Sequence, residues 1–143
     1  MKDEKSQVLV VVFLKKGLYS ISKKTKEIKI MPFIDSKITL PVSEAQKEII
    51  KSRIGKAVSI INKPESFLMV GIEDNYDLYM GGNKLEKGVY VSVSLFGKAS
   101  SDAYEKMTGE ICKIYEEELG IPGSTVYVAY HEVKDWGWNG RNL

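Results

Sequence analysis

Apolar residues follow two different patterns along the chain from residue 33 onward. Spacings of three and four residues predict one helix from Ser43, with a stripe of Ala45, Ile49, Ile50, Ile54, Ala57, Val58 and Ile61. A second series predicts a helix from near Ser101 to Leu119. Short apolar runs predict strands at 33–40, 67–72, 89–96 and 126–133.

The ends of both helices carry recognisable signals. Ser43 and Gln46 have the spacing of a capping box, and Pro64 ends the first helix. Gly120 and Pro122 end the second.

These elements form an internal repeat. Ser43-Glu44-Ala45 aligns with Ser101-Asp102-Ala103, and Pro64-Glu65-Ser66 aligns with Pro122-Gly123-Ser124, at an offset of 58 residues. Each copy reads strand–helix–strand, and a helical crossover makes the two strands parallel. The sequence predicts an α/β fold (α+β in some schemes): a tandem β-α-β repeat with a four-stranded mixed sheet and two helices on one face.

The face of the sheet without helices needs its own cover. The runs FLMVGI and VYVSVSLF are apolar or nearly so at consecutive positions, which is typical of strands buried on both faces. Two helices cover one face only, so we expect further copies of the chain to cover the other face in a closed assembly.

Charge separates the first residues from the rest. Residues 1–31 hold eight lysines and three acidic residues, whereas the remainder holds 13 basic and 16 acidic residues. The body has no excess of basic charge, which argues against a nucleic-acid partner. The apolar run at 8–14 is too short to span a bilayer, so no membrane partner is expected.

Residues 1–31 are interpreted as a leader, and 32–143 as the functional domain. A signal peptide requires a cleavage site that is missing after the apolar run. A strand or a disordered tail is another alternative. The hypothesis we favour is that translation begins at Met31, because Lys- and Ile-rich sequence is what AT-rich upstream DNA would encode. A cytoplasmic location follows, with export without a signal peptide as an alternative.

The residues for several common chemistries are missing. A single cysteine, Cys112, and a single histidine, His131, make a metal site of these residues unlikely within one chain, and no metal or cofactor is expected. Ser43 and Ser101 are better explained as helix caps than as nucleophiles, and a G-x-S-x-G motif is absent.

Six short motifs follow one another along residues 31–143: Met31-Pro32, Asn62-Lys63-Pro64, Met80-Gly81-Gly82, Ser94-Leu95-Phe96-Gly97-Lys98, Val126-Tyr127-Val128 and Gly137-Trp138-Asn139-Gly140. Together and in this order they resemble the tautomerase superfamily, in its macrophage migration inhibitory factor and D-dopachrome tautomerase branch. The resemblance implies a homotrimer with active sites at subunit boundaries. It also implies keto–enol tautomerisation of phenylpyruvate-like and dopachrome-like substrates, without metal or cofactor.

The resemblance makes Pro32 the catalytic residue. An internal proline nitrogen is a tertiary amide and cannot accept a proton, but removal of Met31 would leave a secondary amine. Desolvation and a nearby cation would lower the pKa of that amine towards neutrality. The neutral amine could then move a proton between the carbon next to a carbonyl and the neighbouring position.

The resemblance also implies the substrate-binding residues. Lys63 would hold the substrate carboxylate, the backbone N–H of Phe96 would contact it, and Tyr127 would reach the pocket of a neighbouring subunit. Phe33 and Phe67 would form apolar walls, and Trp138 would line the mouth. Ala129 and Phe67 replace an asparagine and a tyrosine of the best-known member, which favours apolar aromatic substrates.

Two other functions share the same fold. One is a cytokine-like protein that binds a host receptor, with tautomerase activity as a vestige. The other is a catalytically silent relative in which the leader blocks Pro32. A small aromatic α-keto acid or its enol remains the expected substrate of the enzyme.

Overall fold

The computed structural model describes residues 31–143, and the leader predicted at 1–31 lies outside them except for Met31. The chain divides into two units. One is Pro32–Val133, and the other includes Met31 and Lys134–Leu143. The elements of the first are β1 (Pro32–Ile38), α1 (Glu44–Ala57), β2 (Met69–Glu73), β3 (Tyr79–Met80), β4 (Asn83–Lys84), β5 (Val89–Phe96), α2 (Ser101–Leu119) and β6 (Val126–Val133).

The predicted mixed sheet is confirmed. The strand order is β2-β1-β5-β6. The strands of each repeat are parallel, β1 with β2 and β5 with β6, whereas β1 and β5 run antiparallel at the centre. This arrangement joins two parallel β-α-β units side by side, as the predicted repeat requires.

The core lies between the helices and one face of the sheet. Alternate residues of β1 and β5 are buried and pack with the apolar residues of α1 and α2. Side chains alternate between the two faces of a strand, so the face opposite the helices carries Ser92 and Ser94 between Tyr90 and Phe96 on β5, and Asp35 and Lys37 on β1. This face is therefore mixed rather than apolar throughout, and its cover by further copies of the chain stays a prediction.

The first helix begins as predicted and ends differently. Ser43 is the N-cap, and the reciprocal bonds of the capping box with Gln46 are both present. The last turn of the predicted helix, Val58–Ile61, is a 3-10 helix. Ala45 and Ile49 are exposed, the latter by 46%, so the apolar stripe is narrower than predicted and begins at Ile50.

The second helix begins one residue away from its predicted cap. Ser100 is the N-cap, and its side chain accepts a hydrogen bond from the backbone N–H of Ala103, so Ser101 is the first helical residue. The two helices are therefore offset by one residue less than the sequence alignment predicts. The two 3-10 turns that follow Pro64 and Pro122 are offset by 58 residues, as the sequence alignment predicts.

Two short hairpins repeat as well, which the sequence interpretation missed. In the first unit, Gly81 and Gly82 join β3 to β4 with φ of 59° and 82°. In the second, Asn139 and Gly140 join β7 (Gly137–Trp138) to β8 (Arg141–Asn142) with φ of 53° and 86°. Two consecutive positive φ values are typical of type I′ turns, for which Gly-Gly and Asn-Gly are preferred.

One polar pair lies within the core. Tyr115 on α2 donates a hydrogen bond to Ser36 Oγ on β1 over 2.6 Å, and both residues are fully buried. Burial raises the pKa of Tyr115 to about 12, so its hydroxyl keeps its proton and remains the donor.

We expect Tyr115→Phe to lower the free energy of unfolding by about 1–3 kcal/mol, because Ser36 would be left buried without this donor. Urea unfolding at fixed protein concentration measures the change. The double variant Tyr115→Phe/Ser36→Ala should lose less than the two single variants together. Strict additivity would show that the two hydroxyls are not energetically coupled.

Candidate functional site

Pro32 lies at one end of the sheet, which we call the proline end. It is buried, begins β1 and pairs with Leu95 near the end of the antiparallel strand β5. Phe96, the last residue of β5, therefore lies at the same end as Pro32. These two predicted site residues are brought together by strand register alone.

Phe33 and Phe96 share a face of the sheet. Phe33 pairs with Ser94, two residues before Phe96, and side chains two apart on a strand point to the same side. Pro32 is buried and Phe33 is only partly buried. Pro32 is therefore on the core side of β1, like Ile34 two residues later. The two phenylalanines therefore flank the proline end from the face opposite the helices.

Phe67 also lies at the proline end, but not in a strand as predicted. It closes the 3-10 turn Glu65–Phe67, two residues before β2 begins at Met69. The strand β2 is parallel to β1, and Met69 pairs with Phe33. The residues just before Met69 therefore lie at the same end of the sheet as Pro32. The side chain of Phe67 is 41% exposed.

Lys63 is positioned by its two neighbours in sequence. Asn62 adopts a left-handed conformation with φ of 60°, which asparagine tolerates better than most residues. Pro64 restricts the residue before it to extended conformations. The backbone N–H of Lys63 donates to the carbonyl of Val58 over 3.3 Å. The chain then enters the turn that leads to β2, at the proline end.

Lys63 is unusual in its burial. Its side chain is only 6% exposed, and desolvation lowers the pKa of its ammonium group. This burial is not typical of a lysine at the end of a surface helix. A cation held in a desolvated place interacts more strongly with an anion than a solvated one does.

Tyr127 lies at the opposite end of the sheet within the same chain. It pairs with Tyr90 on β5, which in turn pairs with Lys37 on β1. Five residues separate Lys37 from Pro32, which corresponds to about 17 Å along the strand. Tyr127 is 63% exposed. One chain therefore does not bring Tyr127 to Pro32.

A cavity of about 290 Å³ lies beside Tyr127. Its lining is mostly apolar and consists of Leu78, Tyr79, Met80, Gly81, Leu85, Val89, Tyr90, Thr125 and Tyr127. Ala129, predicted to leave the pocket rim apolar, follows on the same strand and pairs with Ser92.

Trp138 belongs to the second unit. It pairs with Arg141 across the β7–β8 hairpin and is 48% exposed. The backbone N–H of Leu143 closes this segment by donating to the carbonyl of Trp136 over 2.9 Å. The predicted role of Trp138 at the pocket mouth stays a prediction.

Within residues 31–143 the chemistry available at the proline end is that of Pro32, a buried cation and aromatic walls. These residues contain no cluster of three or more His, Cys, Asp or Glu side chains arranged to hold a metal ion. The described helices are also too short or too polar to cross a membrane. With Met31 attached, the Pro32 nitrogen is an amide and has no basicity.

The sequence interpretation missed one contact near this end. Tyr104 on α2 accepts a hydrogen bond from the backbone N–H of Ala99, in the loop that follows Phe96. Tyr104 and Ala99 are close in sequence, but nothing in the apolar pattern marks a tyrosine at this position as a loop anchor.

Comparisons with known proteins agree on one family. Residues 31–143 match the family model described as macrophage migration inhibitory factor (MIF). A curated relative, a macrophage migration inhibitory factor homolog from Trichuris trichiura, is 25% identical over 79% of this chain and 100% of its own length.

Solved structures show the same fold. MIF2 from Leishmania major superposes with a TM-score of 0.74 at 27% identity, covering 79% of this chain and 97% of that one. A structure described as a Q0-fused 4-OT wild-type symmetric trimer has a TM-score of 0.69 at 19% identity, covering 77% and 94% of the two chains.

The lowered pKa of Lys63 predicts a pH-dependent difference in stability. The unfolded chain binds this proton more tightly than the folded one, so burial of the charge destabilises the fold below the lowered pKa. This cost disappears as the pH rises towards the ordinary value of 10.5. Lys63→Met should remove this dependence, so that its stability relative to wild type falls as the pH rises from neutrality towards 10.5.

Urea unfolding of both proteins across this range measures the difference. Lys56, which is exposed on α1, provides the control, because its substitution by Met removes a positive charge that is exposed to solvent rather than buried. A difference between wild type and Lys63→Met that is constant with pH would contradict the assigned cost of burial.

Proposed function

The chain belongs to the macrophage migration inhibitory factor family, and we propose that it is a cofactor-independent keto–enol tautomerase of small aromatic α-keto acids such as phenylpyruvate, or of dopachrome-like compounds. Membership supports a tautomerase or MIF-like function in general. The observation that carries the specific proposal is that Pro32, Phe96 and the turn leading to β2, which contains Phe67 and follows buried Lys63, lie at one end of the sheet.

The proposed base is the secondary amine of Pro32 in a chain that begins there. Residues 1–31 are absent from this active form, since any residue before Pro32 converts the amine into an amide. The buried position of Pro32 and the nearby positive charge of Lys63 both disfavour the protonated amine and lower its pKa. The amine is then neutral near pH 7 and accepts a proton directly.

The proposed reaction moves one proton within the substrate. The Pro32 amine takes the proton from the carbon next to the carbonyl, and the carbonyl oxygen gains negative charge. The protonated amine then returns that proton to the oxygen, which gives the enol and restores the neutral amine. Lys63 and the backbone N–H of Phe96 hold the substrate carboxylate, and Lys63 also stabilises the enolate. Phe33, Phe67 and Phe96 contact the aromatic ring and exclude water.

Tyr127 joins the proposed site from a second copy of the chain. Its distance from Pro32 along the sheet and its exposure both support this assignment. A homotrimer provides such a neighbour for every site, and one relative of the same fold is described as a symmetric trimer. The Tyr127 hydroxyl would donate a hydrogen bond to the bound substrate.

The family name also supports a second function, as a MIF-like interaction protein. In that case the trimer surface would bind a host receptor, and the proline end would be dispensable. A protein with Pro32→Gly that loses tautomerisation but keeps receptor binding would have both functions on separate surfaces.

Comparison of two chains tests the role of the amine. The protein that begins at Pro32 should convert phenylpyruvate, whereas the full 143-residue chain should be at least about a hundredfold slower, because an amide nitrogen cannot act as the base. Absorbance of the enol measures the rate. N-terminal acetylation of the shorter protein is a matched control and should abolish activity again. Equal activity of the two chains would contradict the mechanism.

Mixed assemblies test the contribution of Tyr127. Tyr127→Phe should slow the reaction roughly tenfold by removing one hydrogen bond to a charged substrate, and Pro32→Gly should abolish it. Co-refolded mixtures of the two variants should be more active than the weighted mean of the parents, because some sites combine Pro32 of one chain with Tyr127 of another. Activity equal to that mean would show that each site is built from one chain.

A further inference from the structure

The loop that follows Phe96 is short and carries a special conformation. Gly97 has a φ of 94°, in the left-handed region that favours glycine, and turns the chain out of β5. Three residues later Ser100 caps α2. The loop Gly97–Ser100 follows directly on the end of β5, where Phe96 lies next to Leu95, the partner of Pro32.

A single phenol group ties this loop to the sheet. The Tyr104 hydroxyl accepts a hydrogen bond from the Ala99 backbone N–H over 3.0 Å and donates one to Glu132 Oε2 over 2.7 Å. Glu132 lies on β6 and pairs with Leu95, which pairs with Pro32 on the other side. We call the two hydrogen bonds of the Tyr104 hydroxyl the anchor. It is attached to the sheet at Glu132, in the same row of paired residues as Pro32.

The Tyr104 ring is itself held in place. It stacks on Tyr130, with ring centroids 4.4 Å apart and planes inclined by 27°. Burial raises the pKa of the Tyr104 hydroxyl, and the bond to Glu132 adds to the effect. The hydroxyl therefore stays protonated, and can donate to Glu132 while it accepts from Ala99.

We propose that Tyr104 and Glu132 are positioning residues that hold the Gly97–Ser100 loop and, through it, the backbone N–H of Phe96 against the substrate carboxylate. This inference rests on the proposed function, in which Phe96 makes that contact. Neither residue touches the reacting atoms. Loss of the anchor weakens binding of the substrate and of the transition state equally, so it changes KM and leaves kcat nearly constant.

Tyr104→Phe tests this role, because it keeps the stacked ring and removes only the hydroxyl. In the protein that begins at Pro32, KM for phenylpyruvate should rise about threefold to tenfold, as expected for the loss of one ordinary hydrogen bond, with kcat nearly unchanged. In the full chain, the Ala99 amide should exchange its hydrogen faster. Glu132→Gln, which keeps an acceptor for the Tyr104 hydroxyl, should have an intermediate KM.

Tyr130→Phe is the matched control, since it removes the other hydroxyl of the same stacked pair. That hydroxyl donates to the Tyr104 backbone carbonyl over 2.9 Å and shares a hydrogen bond with Thr108, and it makes no bond to the loop. KM and the exchange of the Ala99 amide should both stay at wild-type values in this variant.

The outcomes separate this inference from the function on which it rests. An active wild type with unchanged KM in Tyr104→Phe would overturn the positioning role alone, as would an equal rise of KM in Tyr130→Phe. A wild type that begins at Pro32 and has no activity would overturn the proposed function and this role with it.

Discussion

The antiparallel pairing of β1 with β5 is the constraint on which the rest of the structure depends. It places Pro32 opposite Leu95 and joins two parallel pairs into one sheet. A shift of this register by one residue would turn every side chain of β1 to the other face. Ile34, Ser36 and Ile38 would leave the core, and Phe96 would no longer lie next to Pro32.

The repeat gives the sheet two equivalent ends, but only one carries the proposed chemistry. Pro32 pairs with Leu95 near the last residue of β5. In the same way Val89 pairs with Ile38 at the last residue of β1, so Val89 occupies the position equivalent to Pro32.

The two ends differ in the residue before the turn that both repeats share. Lys63, before Pro64, corresponds to Ile121, before Pro122. Ile121 is fully buried and apolar, so the buried cation at the proline end is not a requirement of the fold. The second end carries instead Tyr127 and its cavity, which the proposed trimer would bring to a neighbour's proline end.

The sequence predicted the parts of the fold that depend on local signals. Residues that are neighbours in sequence were enough to predict the capping box of Ser43 and Gln46 and the bounds of β5 and β6. Phe67 was assigned to a strand because its apolar run continues into β2, while Pro64 in fact begins a 3-10 turn that includes it. Ile49 was assigned to the core from its spacing, but the sheet covers a narrower stripe of α1. The burial of Lys63 and the bonds of Tyr104 depend on contacts between distant elements, which periodicity does not encode.

The central claim is that the proline end keeps the Pro32 amine neutral near pH 7, with Lys63 as one cause. Titration of the amine by NMR, in protein that begins at Pro32 and carries ¹⁵N-labelled proline, measures its pKa directly. We expect a pKa well below that of a free N-terminal proline. We also expect this pKa to rise when Lys63 is replaced by Met, because a like charge that disfavours protonation is removed. An ordinary pKa, the same with and without Lys63, would contradict it.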